Sequence, residues 1–105
     1  MRALLLLAAA FGLSACHPCV EVCNDQVSAY EACLGDWDLG WADIGAEDAD
    51  AWWETCSDDQ GQWTDGLSSE ASTSEGAQCS GLRDGLRTAQ TCEARWTVLV
   101  EYGAF

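Results

Sequence analysis

The chain has 105 residues, of which 18 are Asp or Glu and only four are Arg or Lys, so its formal net charge is −14. A surface of this sign repels nucleic acid and anionic lipid headgroups, which argues strongly against DNA binding, RNA binding and electrostatic attachment to membranes. A chain of this length forms one domain at most, with a modest hydrophobic core.

The first predicted element is an apolar leader. Arg2 supplies a positive charge, and residues 3–13 form a continuous apolar run. A membrane-spanning helix takes about 20 residues, whereas this shorter run has the length of a signal-peptide core. The leader therefore predicts that the protein is exported.

The leader ends in Leu13-Ser14-Ala15-Cys16, which resembles the lipobox of bacterial lipoproteins. The resemblance implies that residues 1–15 are a signal peptide, that the Cys16 thiol carries diacylglycerol and that the new amino terminus is usually acylated. It covers residues 1–16 only. The alternative is an ordinary cleavage after Ala15, with Cys16 unmodified. By analogy with lipoprotein sorting in enterobacteria, His17 instead of Asp after the cysteine predicts the outer membrane if the host is Gram-negative.

Lipidation of Cys16 also explains why the number of cysteines is odd, because it leaves an even number that can pair. Of seven cysteines, six remain for disulfides in an oxidising compartment: Cys19, Cys23, Cys33, Cys56, Cys79 and Cys92. As a thioether, Cys16 can neither form a redox pair with Cys19 nor bind a metal as thiolate. No metal or cofactor is therefore predicted. With no paired His and no Gly-x-Ser-x-Gly sequence, the chain is not expected to be an enzyme.

Residues 16–105 are predicted to form a single acidic, mainly α domain with three helices joined by long acidic loops. Apolar residues recur with helical spacing in helix A, residues 19–34, which places three cysteines on one stripe. Helix B covers residues 46–57. Residues 58–76 are rich in Ser, Thr and Asp and are predicted to be a mobile loop, because they lack the apolar content for a core.

Helix C is predicted to begin near Ser72 and Glu75, which have the spacing of a capping box. The sequence TVLVEY at 97–102 has strand-like content, so the helix is expected to end before Thr97. Cys79 and Cys92 lie about 140° apart at 100° per residue. Helix C must therefore bend, or present the two cysteines from opposite edges of its buried face.

The cysteine spacing favours an up-down-up arrangement of the three helices. In it Cys33 pairs with Cys92, while Cys19 and Cys23 divide Cys56 and Cys79 between them. The alternative is an antiparallel arrangement of helices A and C, with Cys19–Cys92 and Cys33–Cys79 bridges. Both versions exclude a disulfide within helix A.

Three tryptophans, Trp37, Trp41 and Trp63, lie in predicted loops among polar residues. Exposed aromatic residues there would form a contact surface for a protein or a sugar ring, whereas buried ones would only stabilise a small core. The sequence therefore predicts a lipid-anchored interaction module of the cell envelope, with an envelope protein or a glycan as partner. The alternative is a structural or accessory envelope protein without a dedicated ligand.

Calcium binding is a further, weaker alternative. Asp36, Asp38 and Glu47 occupy positions 1, 3 and 12 of an EF-hand frame, but Trp41 stands where that loop requires Gly. A solvated acidic surface explains the same residues.

Overall fold

A computed structural model describes residues 17–105, so the predictions on the leader and on Cys16 lie outside the described residues. The described chain folds into four α-helices and one short 3-10 helix: α1 Pro18–Cys33, the 3-10 helix Trp41–Ile44, α2 Ala49–Asp65, α3 Ser69–Thr88 and α4 Cys92–Glu101. No strand occurs in this range. The prediction of a mainly helical, disulfide-stapled domain is confirmed.

Helix α1 is the central element of the domain. It begins after His17, whose Nδ1 accepts a hydrogen bond from the Cys19 backbone N–H, with Pro18 at the first helical position. The second ring nitrogen of His17, Nε2, lies 3.1 Å from the Ser72 hydroxyl. Helix α1 packs against each of the other three helices. Its buried residues are Cys19, Val22, Cys23, Ala29, Tyr30 and Cys33.

The predicted loop at 58–76 is wrong, because most of it is helical. Residues 58–65 extend α2, and residues 69–76 form the first two turns of α3. Helix α3 is capped by Ser68, which accepts a hydrogen bond from the Ala71 N–H and lies four residues before the predicted cap at Ser72. The segment needs no core of its own, since Gly76 is buried against Pro18 of α1.

Predicted helix C is interrupted, which gives four helices instead of three. Helix α3 ends at Thr88, Ala89 is extended, and Thr91 caps α4 by accepting a hydrogen bond from the Ala94 N–H. The break removes the angular conflict on a continuous helix, because Cys92 no longer has to follow the periodicity of α3.

The predicted end before Thr97 is also wrong, since α4 continues to Glu101. Leu99 is fully buried, and a Cβ placed on Gly85 of α3 would lie 2.8 Å from a Val98 methyl carbon. The burial of this helix face against α3 outweighs the strand preference of the local sequence, which is a weak determinant of structure.

The disulfides and ion pairs establish the up-down-up direction of the first three long helices. The bridges are Cys19–Cys79, Cys23–Cys56 and Cys33–Cys92, one of the two sets that the up-down-up arrangement allowed. Helix α2 runs antiparallel to α1, because Trp52 near its start contacts Tyr30 late in α1, whereas Cys56 further along α2 is bonded to Cys23 early in α1. The early Cys79 and the later Arg87 of α3 meet α1 in the same order as their partners, Cys19 and Asp25.

Candidate functional site

Six aromatic side chains form one continuous cluster at the end of the bundle where α1 terminates. Tyr30 lies at its centre, with ring-centroid distances of 4.9 Å to Trp52, 5.7 Å to Phe105 and 6.4 Å to Trp41. Phe105 continues the cluster to a second pair of rings, Trp37 at 5.9 Å and Trp96 at 4.8 Å. We call these residues, Tyr30, Trp37, Trp41, Trp52, Trp96 and Phe105, the aromatic cluster.

Chain reversals on both sides build this cluster. A turn after α1 brings Trp37 back toward the helices, and its indole Nε1 donates a 3.2 Å hydrogen bond to the Cys92 carbonyl. After α4, Gly103 adopts φ 76°, and the Ala104 N–H donates a hydrogen bond to the Leu99 carbonyl. The positive φ favours glycine at this position. This reversal directs Phe105 onto the rings.

Tyr30 is the buried member of the cluster, with 3% of its surface exposed. Burial raises the pKa of its phenol above the ordinary value, because the charged phenolate loses its hydration. The Gln26 side-chain amide, 3.5 Å from the Tyr30 hydroxyl, lowers the same pKa by a smaller amount. Tyr30 therefore remains neutral and serves as a packing surface.

The structure separates the three tryptophans predicted as binding residues. Trp37 and Trp41 lie outside the α-helices, as predicted, and are half-buried against the core. Trp63 lies on α2 instead of a loop, is 44% exposed, and borders Glu75 and Cys79 at the opposite end of the bundle. Only the first two tryptophans belong to the aromatic cluster.

Two exposed residues of the aromatic cluster were not predicted from the sequence. Trp96 is 37% exposed and Phe105 is 39% exposed, and their rings are stacked with an interplanar angle of 21°. Trp96 was not predicted as a binding residue, because its exposure depends on the break between α3 and α4, which the prediction of one continuous helix C did not include. For Phe105 no local signal existed, since its position depends on the turn at Gly103.

An open cleft lies beside the exposed rings. It has a volume of about 420 Å³ and is lined by Asp36, Trp37, Cys92, Glu93 and Trp96. The Cys33–Cys92 disulfide connects its two sides, because Cys33 directly precedes the turn that carries Asp36 and Trp37. We call this cavity the acidic aromatic cleft.

The two carboxylates of the cleft differ from the acids that form salt bridges. Among residues 17–105, the salt bridges use Glu21, Asp25 and Asp84 as acceptors. Asp36 and Glu93 are exposed and form no salt bridge in this part of the chain. The cleft therefore presents two carboxylates that form no salt bridge within residues 17–105, beside two indole rings.

The acids considered for calcium do not form a metal site. In the described range, 17–105, no group of three or more His, Cys, Asp or Glu side chains has a geometry that could hold a metal ion. Asp36 borders the cleft instead, while Asp38 adopts φ 57° within the turn after α1.

No protein-family model, curated protein or solved structure shows a significant match to the chain. Over residues 17–105 the helices are all too short or too polar to cross a membrane.

Proposed function

We propose that this protein is an exported lipoprotein of the cell envelope that acts as an interaction module. In this proposal, acyl chains on Cys16 attach it to the membrane, and the aromatic cluster contacts a partner protein of the envelope. The observation that carries the binding role is the exposure of Trp96 and Phe105 beside an open cleft. Exposed aromatic residues next to a cavity are typical of protein contact sites.

The direction of α1 supports this role. The chain reaches α1 from Cys16 through His17, at one end of the bundle, whereas Trp37 follows the other end of the helix. Sixteen residues of α-helix at about 1.5 Å per residue separate the two ends by roughly 24 Å. A lipid at Cys16 would thus hold the membrane-proximal end and leave the aromatic cluster facing away from the bilayer.

The charge of the chain supports attachment by lipid alone. With 18 acidic residues and three arginines after the leader, the domain gains nothing from anionic headgroups, and two or more acyl chains are needed for stable attachment. If the host is Gram-negative, we expect the outer membrane, on the analogy drawn from His17.

A binding role also agrees better with the cleft than catalysis does. Its side chains are two carboxylates, two indoles and a cysteine whose sulfur is in a disulfide, so the cleft offers no free thiol as nucleophile. We therefore do not propose an enzymatic activity.

The binding role is tested with a matched pair of tryptophan variants. Trp96→Ala removes an exposed ring of the aromatic cluster, and Trp63→Ala removes a similarly exposed ring at the opposite end. Chemical cross-linking in intact cells, followed by purification of the protein, should recover a specific envelope partner with wild type and Trp63→Ala and lose it with Trp96→Ala. Circular dichroism and thermal unfolding verify that both variants are folded.

Other outcomes of this experiment decide between the alternatives. Loss of the partner in Trp63→Ala alone would locate the contact at the membrane-proximal end. An equal yield from all three proteins, or no specific partner, would favour the structural or accessory role.

The lipid anchor is tested by Cys16→Ser. We expect the variant to accumulate as an unprocessed precursor, while the wild-type protein partitions with membranes and carries the added mass of its acyl chains. Soluble, fully processed Cys16→Ser protein would contradict the lipoprotein assignment and support an ordinary cleavage after Ala15.

A further inference from the structure

We infer that the acidic aromatic cleft binds the cationic side chain of an Arg or Lys in a basic segment of the partner protein. This inference rests on the proposed function and adds to it the chemistry that the partner must present. It assigns a ligand class to four residues: Asp36, Trp37, Glu93 and Trp96.

The first support is electrostatic. Asp36 and Glu93 line the same cavity and carry like charges without a salt-bridge partner among residues 17–105. A cation that enters the cleft is attracted by both carboxylates at once. A neutral ligand gains neither attraction.

The second support is the pair of indole rings. A cation over an indole face is attracted by the negative charge of the π-system, and Trp is the strongest of the three aromatic residues in this interaction. The guanidinium group of Arg can in addition stack on such a ring. Trp37 and Trp96 lie with ring centroids 5.3 Å apart at an angle of 60°, so the cleft presents aromatic surface from two directions.

The third support is the rigidity of the cleft. Trp37 is fixed by the hydrogen bond from its Nε1 to the Cys92 carbonyl, and Trp96 is backed by the stacked ring of Phe105. The Cys33–Cys92 disulfide joins the two sides of the cleft covalently. A site already held in its binding geometry loses less conformational entropy when the ligand enters.

The shape of the cleft favours a side chain over a free small molecule. A cavity of about 420 Å³ that is open to solvent admits the end of an Arg or Lys side chain while its backbone remains outside. A small molecule would have too little of its surface covered for tight binding, because small-molecule sites enclose most of their ligand.

The experiment titrates the processed protein, extracted in a non-ionic detergent, with an acetylated and amidated peptide of eight alternating Arg and Gly residues. A peptide with Gln in place of each Arg is the control ligand. Calorimetry at two salt concentrations gives the affinity, and we expect binding of the Arg peptide that weakens with salt.

Two double variants that remove the same number of charges distinguish binding in the cleft from general attraction to the negatively charged surface. Asp36→Asn/Glu93→Gln removes both carboxylates of the cleft, and Glu54→Gln/Glu101→Gln removes two exposed carboxylates elsewhere on α2 and α4. We expect the first double variant to weaken Arg-peptide binding about fivefold to tenfold, which is the size expected for the loss of two weak surface ion pairs. The second double variant should weaken it less than about twofold.

Equal losses in the two double variants would mean that only non-specific attraction exists, and would overturn the inference. So would equal binding of the Gln peptide, or tight binding of a neutral oligosaccharide that Asp36→Asn/Glu93→Gln does not change. If Trp96→Ala loses the cross-linked partner while Asp36→Asn/Glu93→Gln retains it, the interaction role stands and the cationic ligand is wrong.

Discussion

Replacing Cys33 and Cys92 together by Ala removes the covalent link between α1 and α4. The two residues are 59 apart in the sequence, but the bridge closes a much smaller ring when the other disulfides are intact. The path from Cys33 back to Cys19, across the Cys19–Cys79 bridge and on to Cys92 contains about 27 residues. For a ring of that size, the loss of loop-closure entropy in the unfolded chain predicts a destabilisation of about 3.5 kcal/mol.

The three disulfides can be compared in the same way. Their sequence separations are 60, 33 and 59, yet each closes a ring of about 27 residues when the other two are present. All three double Ala variants should therefore lose about 3.5 kcal/mol. The comparison is balanced, because the α1 cysteine of every pair is fully buried.

Urea unfolding followed by circular dichroism measures the effect. With a slope of about 1–3 kcal/mol per molar for a small domain, the midpoint of each variant should fall by between about 1.2 and 3.5 M. A loss that follows sequence separation, or one bridge whose removal costs nothing, would refute the ring calculation. Mass spectrometry of non-reduced peptides must first verify the three pairs, since a Cys19–Cys23 bridge would contradict the framework itself.

Two further predictions concern packing and pH. Gly85→Ala should destabilise the domain by about 1–2 kcal/mol, because its Cβ would lie 2.8 Å from a methyl carbon of the stiff Val98 side chain. Gly61→Ala, with no atom within 4 Å of its Cβ, should instead stabilise α2 by up to about 1 kcal/mol. A higher melting temperature for Gly85→Ala than for Gly61→Ala would contradict the packing of α3 on α4. Burial raises the pKa of Tyr30, so the stability that its neutral phenol supports is complete below about pH 10 and is lost as the pH rises through the folded-state pKa. The urea midpoint should therefore fall less between pH 8 and pH 11 for Tyr30→Phe than for wild type. An equal fall would exclude Tyr30 as the cause of the alkaline destabilisation.

The features that the sequence predicted correctly depend on local spacing or on covalent geometry. Helix α1 was predicted at 19–34 and occurs at 18–33, because its apolar stripe and the Pro at its start act within a few residues. The up-down-up arrangement followed from comparing cysteine spacings on two helices. The conflict between Cys79 and Cys92 on one helical wheel predicted either a bend in helix C or cysteines at opposite edges of its buried face, and the structure instead breaks the helix after Thr88.

The features that were missed depend on contacts between distant residues. A composition rich in Ser, Thr and Asp excludes an independent core, but most of residues 58–76 are helical, with a cap at Ser68 and Gly76 packed on α1. Of the residues that line the cleft, Trp37 was predicted as a binding residue, whereas Trp96 was not. Its exposure depends on the break after Thr88, which no local pattern located.

Within residues 17–105, helix α1 contributes one cysteine to each disulfide, and this arrangement has a consequence for a molecule that is exposed to proteases. Each other cysteine-containing segment, around Cys56, Cys79 and Cys92, is bonded directly to α1. Hydrolysis of any single peptide bond between Cys23 and Cys92 therefore releases no fragment, and neither do cuts in both the α1–α2 and the α2–α3 connections. A nicked molecule gains only the water added at each cleaved bond and stays in one piece until its disulfides are reduced, so the cleft and its exposed indoles can outlast the integrity of the chain that forms them.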